Sequence, residues 1–293
     1  MSDQIREDEN VSRRRFLERT AATGGVALIG AAASLSCDAQ EGGKTMGNST
    51  AQSTPTPKPV KLLGEMIEYK SGDIKIPAYL SHPKKQGTAA GAVLVIHEVF
   101  GLNDHIKSIA DRIANEGYAA LAPNFFIHAP EPPPKDTTDM AALRKAAGSV
   151  PNEVAIRDMQ AALDFFKTLN SVQPRYASIG FCMGGGFSYQ IATHTKDLAG
   201  AVIFYGRTPV ELVPQVSCPL LCSFGALDTG IPPEKVKEFE EALKKAGKQA
   251  DIKIYEGAKH GFFNDTRPEA YNAEAAADAW QRTLKFFHER LGV

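Results

Sequence analysis

Residues 91–96, Gly-Ala-Val-Leu-Val-Ile, form an apolar run without a single polar position. A strand with one wet face alternates polar and apolar residues; an unbroken run belongs to a strand covered on both faces. Such a strand needs a layer above it and a layer below. The chain supplies the first of these at once. Ile106, Ile109, Ala110 and Ile113 recur at helical spacing within 105–115, Glu116-Gly117 ends the pattern, and 118–122 is a second buried run stopped by Pro123. A strand–helix–strand unit of this length predicts two parallel strands joined by a right-handed crossover. The expected fold class is therefore α/β, a mostly parallel sheet with helices on both faces.

The rest of the chain repeats the theme. Further strands are expected up to Gly180 and over 198–205, 219–224 and 250–255, and helices over 152–169, 233–246 and 274–291. Upstream, two alternating runs (66–69 and 74–80) flank Ser71-Gly72-Asp73 and read as a hairpin at a sheet edge, where Pro77 is best tolerated. The stretch 124–150, with Pro130, Pro132, Pro133 and Pro134 close together, reads as an irregular lid or pocket wall. At 293 residues the chain suits a single α/β domain plus a leader.

That leader is expected at 1–37. Arg13, Arg14, Arg15, Phe16 and Leu17 are followed by a small-residue apolar run and then Cys37, which resembles a twin-arginine export signal. Glu18 stands where a lysine is commoner. The expected partner is the twin-arginine export machinery, and the expected location is periplasmic or otherwise exported. Ser34-Leu35-Ser36-Cys37 approaches a lipobox with its leucine one place late, so lipidation of Cys37 as a membrane tether and simple cleavage both stand. Residues 38–60, rich in Gly, Ser, Thr and Pro, bury too little apolar surface to order themselves and read as a flexible tether. The folded domain is then 61–293.

The chemistry concentrates in Gly180-Phe181-Cys182-Met183-Gly184, a Gly-x-Cys-x-Gly pattern between a strand and a helix. It is the arrangement of a nucleophile elbow with cysteine in place of serine. Glycines flank the nucleophile because strand and helix pass too close for a Cβ. The sulfur lies at the positive end of a helix, where a thiolate is favoured. Asp228 and His260 each follow the end of another expected strand, in the order nucleophile, acid, base. His260 can take the thiol proton and later hand it to a leaving group, and Asp228 can hold the imidazole in the useful tautomer. The backbone N–H groups of Met183 and of Val99, in the loop after 91–96, are the expected oxyanion donors.

Together with His97-Glu98-Val99-Phe100-Gly101 and His260-Gly261-Phe262, this elbow resembles the dienelactone hydrolase family, over about residues 62–291. The resemblance implies an α/β-hydrolase fold and hydrolysis of small esters or lactones (EC 3.1.1 type) through an acyl-thiol intermediate. It also implies that Glu98 contacts the resting thiol and helps generate the thiolate. The dienelactone-cleaving members hold a substrate carboxylate with two arginines, whose places here carry His128 and Asn264; Arg207 is a possible replacement cation. Dienelactone itself is therefore not the expected substrate.

Other classes are disfavoured. A net charge of -1 gives no electrostatic case for nucleic acid. No cysteine or histidine cluster suggests a metal, and no cofactor is expected. Cys218 and Cys222, about 13 Å apart along a strand at ~3.3 Å per residue, are too distant for a disulfide and read as core thiols. A thiol-dependent redox protein would lack a resolving cysteine for Cys182. A tethered, non-catalytic binding domain would have no need of Cys182, Asp228 and His260 together.

Overall fold

The computed structural model describes residues 61–83, 87–131, 133–134 and 137–292. The leader, the tether and Cys37 lie outside the described residues. Eight strands form one sheet: β1 (Glu65–Ser71), β2 (Ile74–Ser81), β3 (Ala92–Ile96), β4 (Ala119–Pro123), β5 (Tyr176–Phe181), β6 (Leu198–Phe204), β7 (Leu220–Gly225) and β8 (Ala250–Tyr255). Their spatial order is β1-β2-β4-β3-β5-β6-β7-β8. From β4 through β8 every pairing is parallel, while β1–β2 and β2–β4 are antiparallel.

The apolar run that suggested a doubly covered strand is one. All five residues of β3 are buried. Ala92, Leu94 and Ile96 join the core on one face, and Val93 and Val95 join the core on the other, as the two-residue side-chain period of a strand requires. Helices α1 (Asp104–Asn115) and α6 (Ala273–Leu291) cover the second of these faces through Ile106, Ile109, Ile113, Trp280 and Phe287. Helices α3 (Asn152–Lys167), α4 (Met183–His194) and α5 (Pro233–Lys245) cover the first through Met159, Leu163, Tyr189 and Phe239.

Two local expectations need correction. The stretch 124–150 is not irregular throughout: it holds a 3-10 turn, Phe125–His128, and a short helix, α2 (Met140–Gly148). Asp139 caps that helix by accepting a hydrogen bond from Ala142 N–H, and only Leu143 and Ala146 of its residues are buried, too few to produce a clear stripe. The hairpin does lie at the sheet edge, but Pro77 is on its inner strand, since β1 lies outside β2. Pro77 is accommodated because the β2–β4 ladder runs from Ala78 to Ser81 and stops just short of it.

Candidate active site

Cys182 joins β5 directly to α4 with φ 55° and ψ -116°. A non-glycine residue in this left-handed region costs on the order of 1–3 kcal/mol, so the surroundings must impose it. They do so by close packing. A Cβ on Gly180 would stand 1.9 Å from the carbonyl oxygen of Gly184; one on Gly184 would stand 2.3 Å from that of Ile96. The second contact also draws the N-terminus of α4 against the end of β3. The Met183 N–H, first in its helix, has no preceding turn to accept it, and the Val99 N–H has no partner among the described residues. Both are free to donate to a developing oxyanion.

The loops after β7 and β8 bring Asp228 and His260 together. Asp228 is buried; its Oδ1 accepts from the N–H groups of Gly230 (2.8 Å) and Ile231 (3.0 Å), and its Oδ2 lies 2.7 Å from His260 Nδ1. That geometry places a proton on Nδ1 and leaves Nε2 for the sulfur side. Burial alone would lower the His260 pKa, but the Asp228 hydrogen bond and then the nearby Cys182 thiol raise it to about 10. Asp228 is pulled the other way: burial would raise it, and the His260 hydrogen bond and charge bring it below the usual carboxylate range. The imidazolium is thus the favoured form of the ring beside Cys182.

Glu98, buried in the loop after β3, accepts from Asn264 Nδ2 at Oε2 (2.6 Å) and from the Tyr205 hydroxyl at Oε1 (3.3 Å). Burial pushes its carboxyl up, opposed by the charge of His105, the Asn264 hydrogen bond, His260 and Tyr205. The resemblance placed Glu98 on the resting thiol, whereas its hydrogen bonds in this structure go to Asn264 and Tyr205. The loop itself is stapled by His97, fully buried. His97 Nδ1–H donates to the Glu98 carbonyl (2.7 Å), while Nε2 accepts from Phe125 N–H (3.1 Å). Burial holds this imidazole neutral, with its pKa lowered to about 4.

Tyr205 escaped the sequence reading. It ends the β6 run, takes φ 38°, is fully buried, and sets its ring 5.1 Å from that of His260 while its hydroxyl reaches Glu98. An aromatic at a strand's C-terminal end, beside the elbow strand, was the available signal.

The three expected substrate-binding residues fare differently. Asn264 is 1% exposed, and its Oδ1 accepts from Thr266, so both ends of its amide are engaged inside the protein. His128 Nε2 is committed to the buried Asp158, which also accepts from Ser71 and Arg157. Neither side chain is free to hold a substrate carboxylate. Arg207 is exposed and makes no ion pair among the described residues, and a Cβ on Gly186 of α4 would lie 3.5 Å from its carbonyl oxygen. Cys218 and Cys222 are free, buried thiols; burial raises Cys218 to about 12 and Cys222 further. Among the described residues no group of three or more His, Cys, Asp or Glu side chains is arranged to hold a metal.

A mostly parallel sheet with a strained cysteine elbow at its strand ends defines an α/β-hydrolase architecture. Residues 76–291 match the profile of the dienelactone hydrolase family. A Saccharolobus solfataricus protein, provisionally named a carboxymethylenebutenolidase, is 35% identical over 257 residues, 75% of this chain and 96% of its own length. A protein of the same provisional name from Escherichia coli O157:H7 is 33% identical over 226 residues, 73% of this chain and 82% of its own. A crystal structure from Klebsiella pneumoniae, described as a provisional dienelactone hydrolase, superposes with a TM-score of 0.72 at 30% identity, covering 78% of this chain and all of the other. The chain belongs to the dienelactone hydrolase family and is a hydrolase of the carboxylic-ester type.

Proposed function

We propose that this chain is an exported hydrolase of small esters or lactones that works through an acyl-thiol on Cys182. The observation that carries the reading is the 2.7 Å Asp228–His260 pair, held in loops after β7 and β8 while Cys182 directly follows β5 of the same sheet. The thiolate attacks the carbonyl carbon, and the oxyanion that forms is met by the N–H groups of Met183 and Val99. Collapse of the tetrahedral species breaks the ester C–O bond, and His260 gives its proton to the departing alkoxide. Water then attacks the acyl-thiol while His260 takes a proton from it, and the second collapse releases the carboxylate and restores the thiolate. Asp228 holds the ring in one tautomer throughout.

The engagement of His128 and Asn264 inside the protein argues against a two-residue clamp on a substrate carboxylate at the places the resemblance implied. Arg207 is exposed and its backbone lies beside Gly186 of the elbow helix, which supports preference for a substrate with an anionic group. Export rests on Arg13 and Arg14, and attachment to a membrane on acylation of Cys37.

Hydrolysis of p-nitrophenyl acetate and of a panel of neutral and anionic lactones tests the chemistry. Cys182→Ala and His260→Ala should each lose turnover, and wild-type-like rates in both would remove the proposal. Arg207→Gln should raise KM for anionic members of the panel and leave the neutral ones unchanged. Fractionation of the native host should find the protein outside the cytoplasm, with retention on replacing Arg13 and Arg14 by lysine. The intact mass of the mature chain decides between a lipid on Cys37 and cleavage without one.

A further inference from the structure

Residues 98–101 close a β-turn after β3, with the Gly101 N–H donating to the Glu98 carbonyl (3.1 Å) and Val99 and Phe100 at its corners. The near side of this turn is well held. The Glu98 carbonyl also accepts from His97, and the Glu98 carboxylate accepts from Asn264. The far side has no such hold in its backbone: neither the N–H nor the carbonyl of Phe100 has a hydrogen-bond partner among the described residues, and Phe100 is only half-buried. What stands over its ring is the guanidinium of Arg267, with Cζ 4.6 Å from the ring centroid. That guanidinium is itself fixed. Its Nε donates to Glu269 Oε1 (2.7 Å), Nη2 pairs with the same carboxylate, and Nη1 donates to the Thr137 carbonyl (3.4 Å) and faces Met140 Sδ (3.9 Å) at the start of α2. The Arg267 N–H donates to the Asn264 carbonyl (3.1 Å), so a single turn of the loop after β8 carries both grips on residues 98–101.

We propose that Arg267 is a positioning residue for the Val99 oxyanion donor, holding the far corner of the 98–101 turn while Asn264 holds the near one. This rests on the reading of the Val99 N–H as an oxyanion donor. Val99 lies between two residues gripped from one side, Glu98 by Asn264 and Phe100 by Arg267. Both grips come from the loop that also carries His260, so the oxyanion donor and the base share one frame. The guanidinium is engaged by Glu269, Thr137 and Phe100, and therefore acts through the turn rather than on the substrate. A donor must stand at hydrogen-bond distance from the place the oxyanion will occupy, and a turn loosened at one corner keeps the N–H but not its aim. The Arg267 side chain is 26% exposed, so its replacement leaves the core intact.

The test uses the full chain, p-nitrophenyl acetate, and the thiono analogue in which sulfur replaces the carbonyl oxygen. Sulfur accepts hydrogen bonds weakly, so the ratio of kcat/KM for the two esters reads the oxyanion donors, whereas general damage lowers both rates together. In Arg267→Met, kcat for p-nitrophenyl acetate should fall on the order of tenfold, short of the ~10²–10³ for outright loss of a donor, with KM within about twofold. The oxo-to-thiono ratio should fall by a similar factor. Alkylation of Cys182 by iodoacetamide displaces iodide and forms no oxyanion, so its rate should stay at the wild-type value. Phe100→Leu, which removes the ring and leaves the cation, should give the same pattern and decides the matter if Arg267→Met does not fold. An unchanged ratio in whichever variant folds, or alkylation that slows in step with hydrolysis, overturns the assignment. Val99→Pro deletes the N–H at a turn corner where proline is accepted. If it leaves the ratio unchanged, Val99 is no donor and the Arg267 assignment falls with that reading; a ratio that falls in Val99→Pro alone removes the Arg267 assignment and leaves the donor standing.

Discussion

Replacing Gly180 by alanine isolates the physical cause of the elbow. The added Cβ would fall 1.9 Å from the Gly184 carbonyl oxygen and 2.3 Å from its carbon, against the 3.0 Å below which real Cβ atoms are essentially never found. Both obstructing atoms are backbone, so no side-chain rotation relieves the clash. Strand β5 and helix α4 must separate by roughly an ångström, and the interior is too densely packed to absorb that for nothing. Overpacking of this kind costs about 1–3 kcal/mol, or ~2–4 °C of melting temperature per kcal/mol for a domain of this size. The larger effect falls on chemistry, because Cys182 is the hinge of the movement. A displacement of ~1 Å between reacting groups costs on the order of 100-fold in rate. Gly186→Ala is the matched control: its Cβ would meet Arg207 backbone atoms at 3.5 and 3.6 Å, ordinary van der Waals contact, at a helical position where alanine is favoured by up to ~1 kcal/mol. Thermal melts and p-nitrophenyl acetate hydrolysis, run side by side, should show Gly180→Ala less stable and at least ~100-fold slower, with Gly186→Ala within about twofold of wild type. Equal behaviour of the two variants, in either direction, would refute the close-packing account of the elbow.

Asp228→Asn keeps the shape of the loop but sets an amide NH2 against either the Gly230 and Ile231 N–H groups or His260; kcat should fall on the order of 10⁴-fold with the fold retained, checked by circular dichroism beside the kinetics. His97 gives a pH dependence of stability. Its folded pKa is about 4, below the ordinary value of 6.5, so between those values the unfolded chain binds a proton that the native state refuses. The contribution is complete above pH 6.5 and is lost as pH falls toward 4, amounting to roughly 3 kcal/mol. Urea titrations of wild type and His97→Asn across that window should show the smaller pH slope in the variant, and parallel slopes would count against the buried neutral ring. Native-state iodoacetamide should label Cys182 while sparing Cys218 and Cys222, which peptide mapping will reveal; modification of the two buried thiols at a comparable rate would mean the β7 region opens far more readily than its packing indicates.

The strands were readable because burial on both faces leaves so plain a mark: β3, β4 and β6 have no polar side chain to hide it. The elbow was readable because its geometry tolerates only glycine at Gly180 and Gly184, and glycine is visible in a sequence. Helix α2 was not, since a proline cluster precedes it and only two of its residues face the core. The engagements of Asn264 and His128 were also hidden. Asn264 reaches Glu98 across 166 positions and His128 reaches Asp158 across 30, and no periodicity encodes a pairing between side chains on separate elements. Tyr205 shows the same blind spot. Its aromatic ring was assigned to strand burial, yet it ends as a hydroxyl donor to the buried carboxylate of Glu98.

The place of His260 along the chain has a consequence for the order in which the protein acquires its reactivity. It follows β8, the last strand in sequence and an outermost one in the sheet. During synthesis from the N-terminus, a chain that has emerged through β7 and the loop after it already carries Cys182 and Asp228 but not His260. A cysteine without its base attacks esters poorly. On the proposed mechanism, a nascent chain lacks the base for Cys182 until β8 and the loop after it have formed. If His260 is that base, reactivity of Cys182 arrives only with completion of the sheet, in molecules already finished enough to shelter the sulfur.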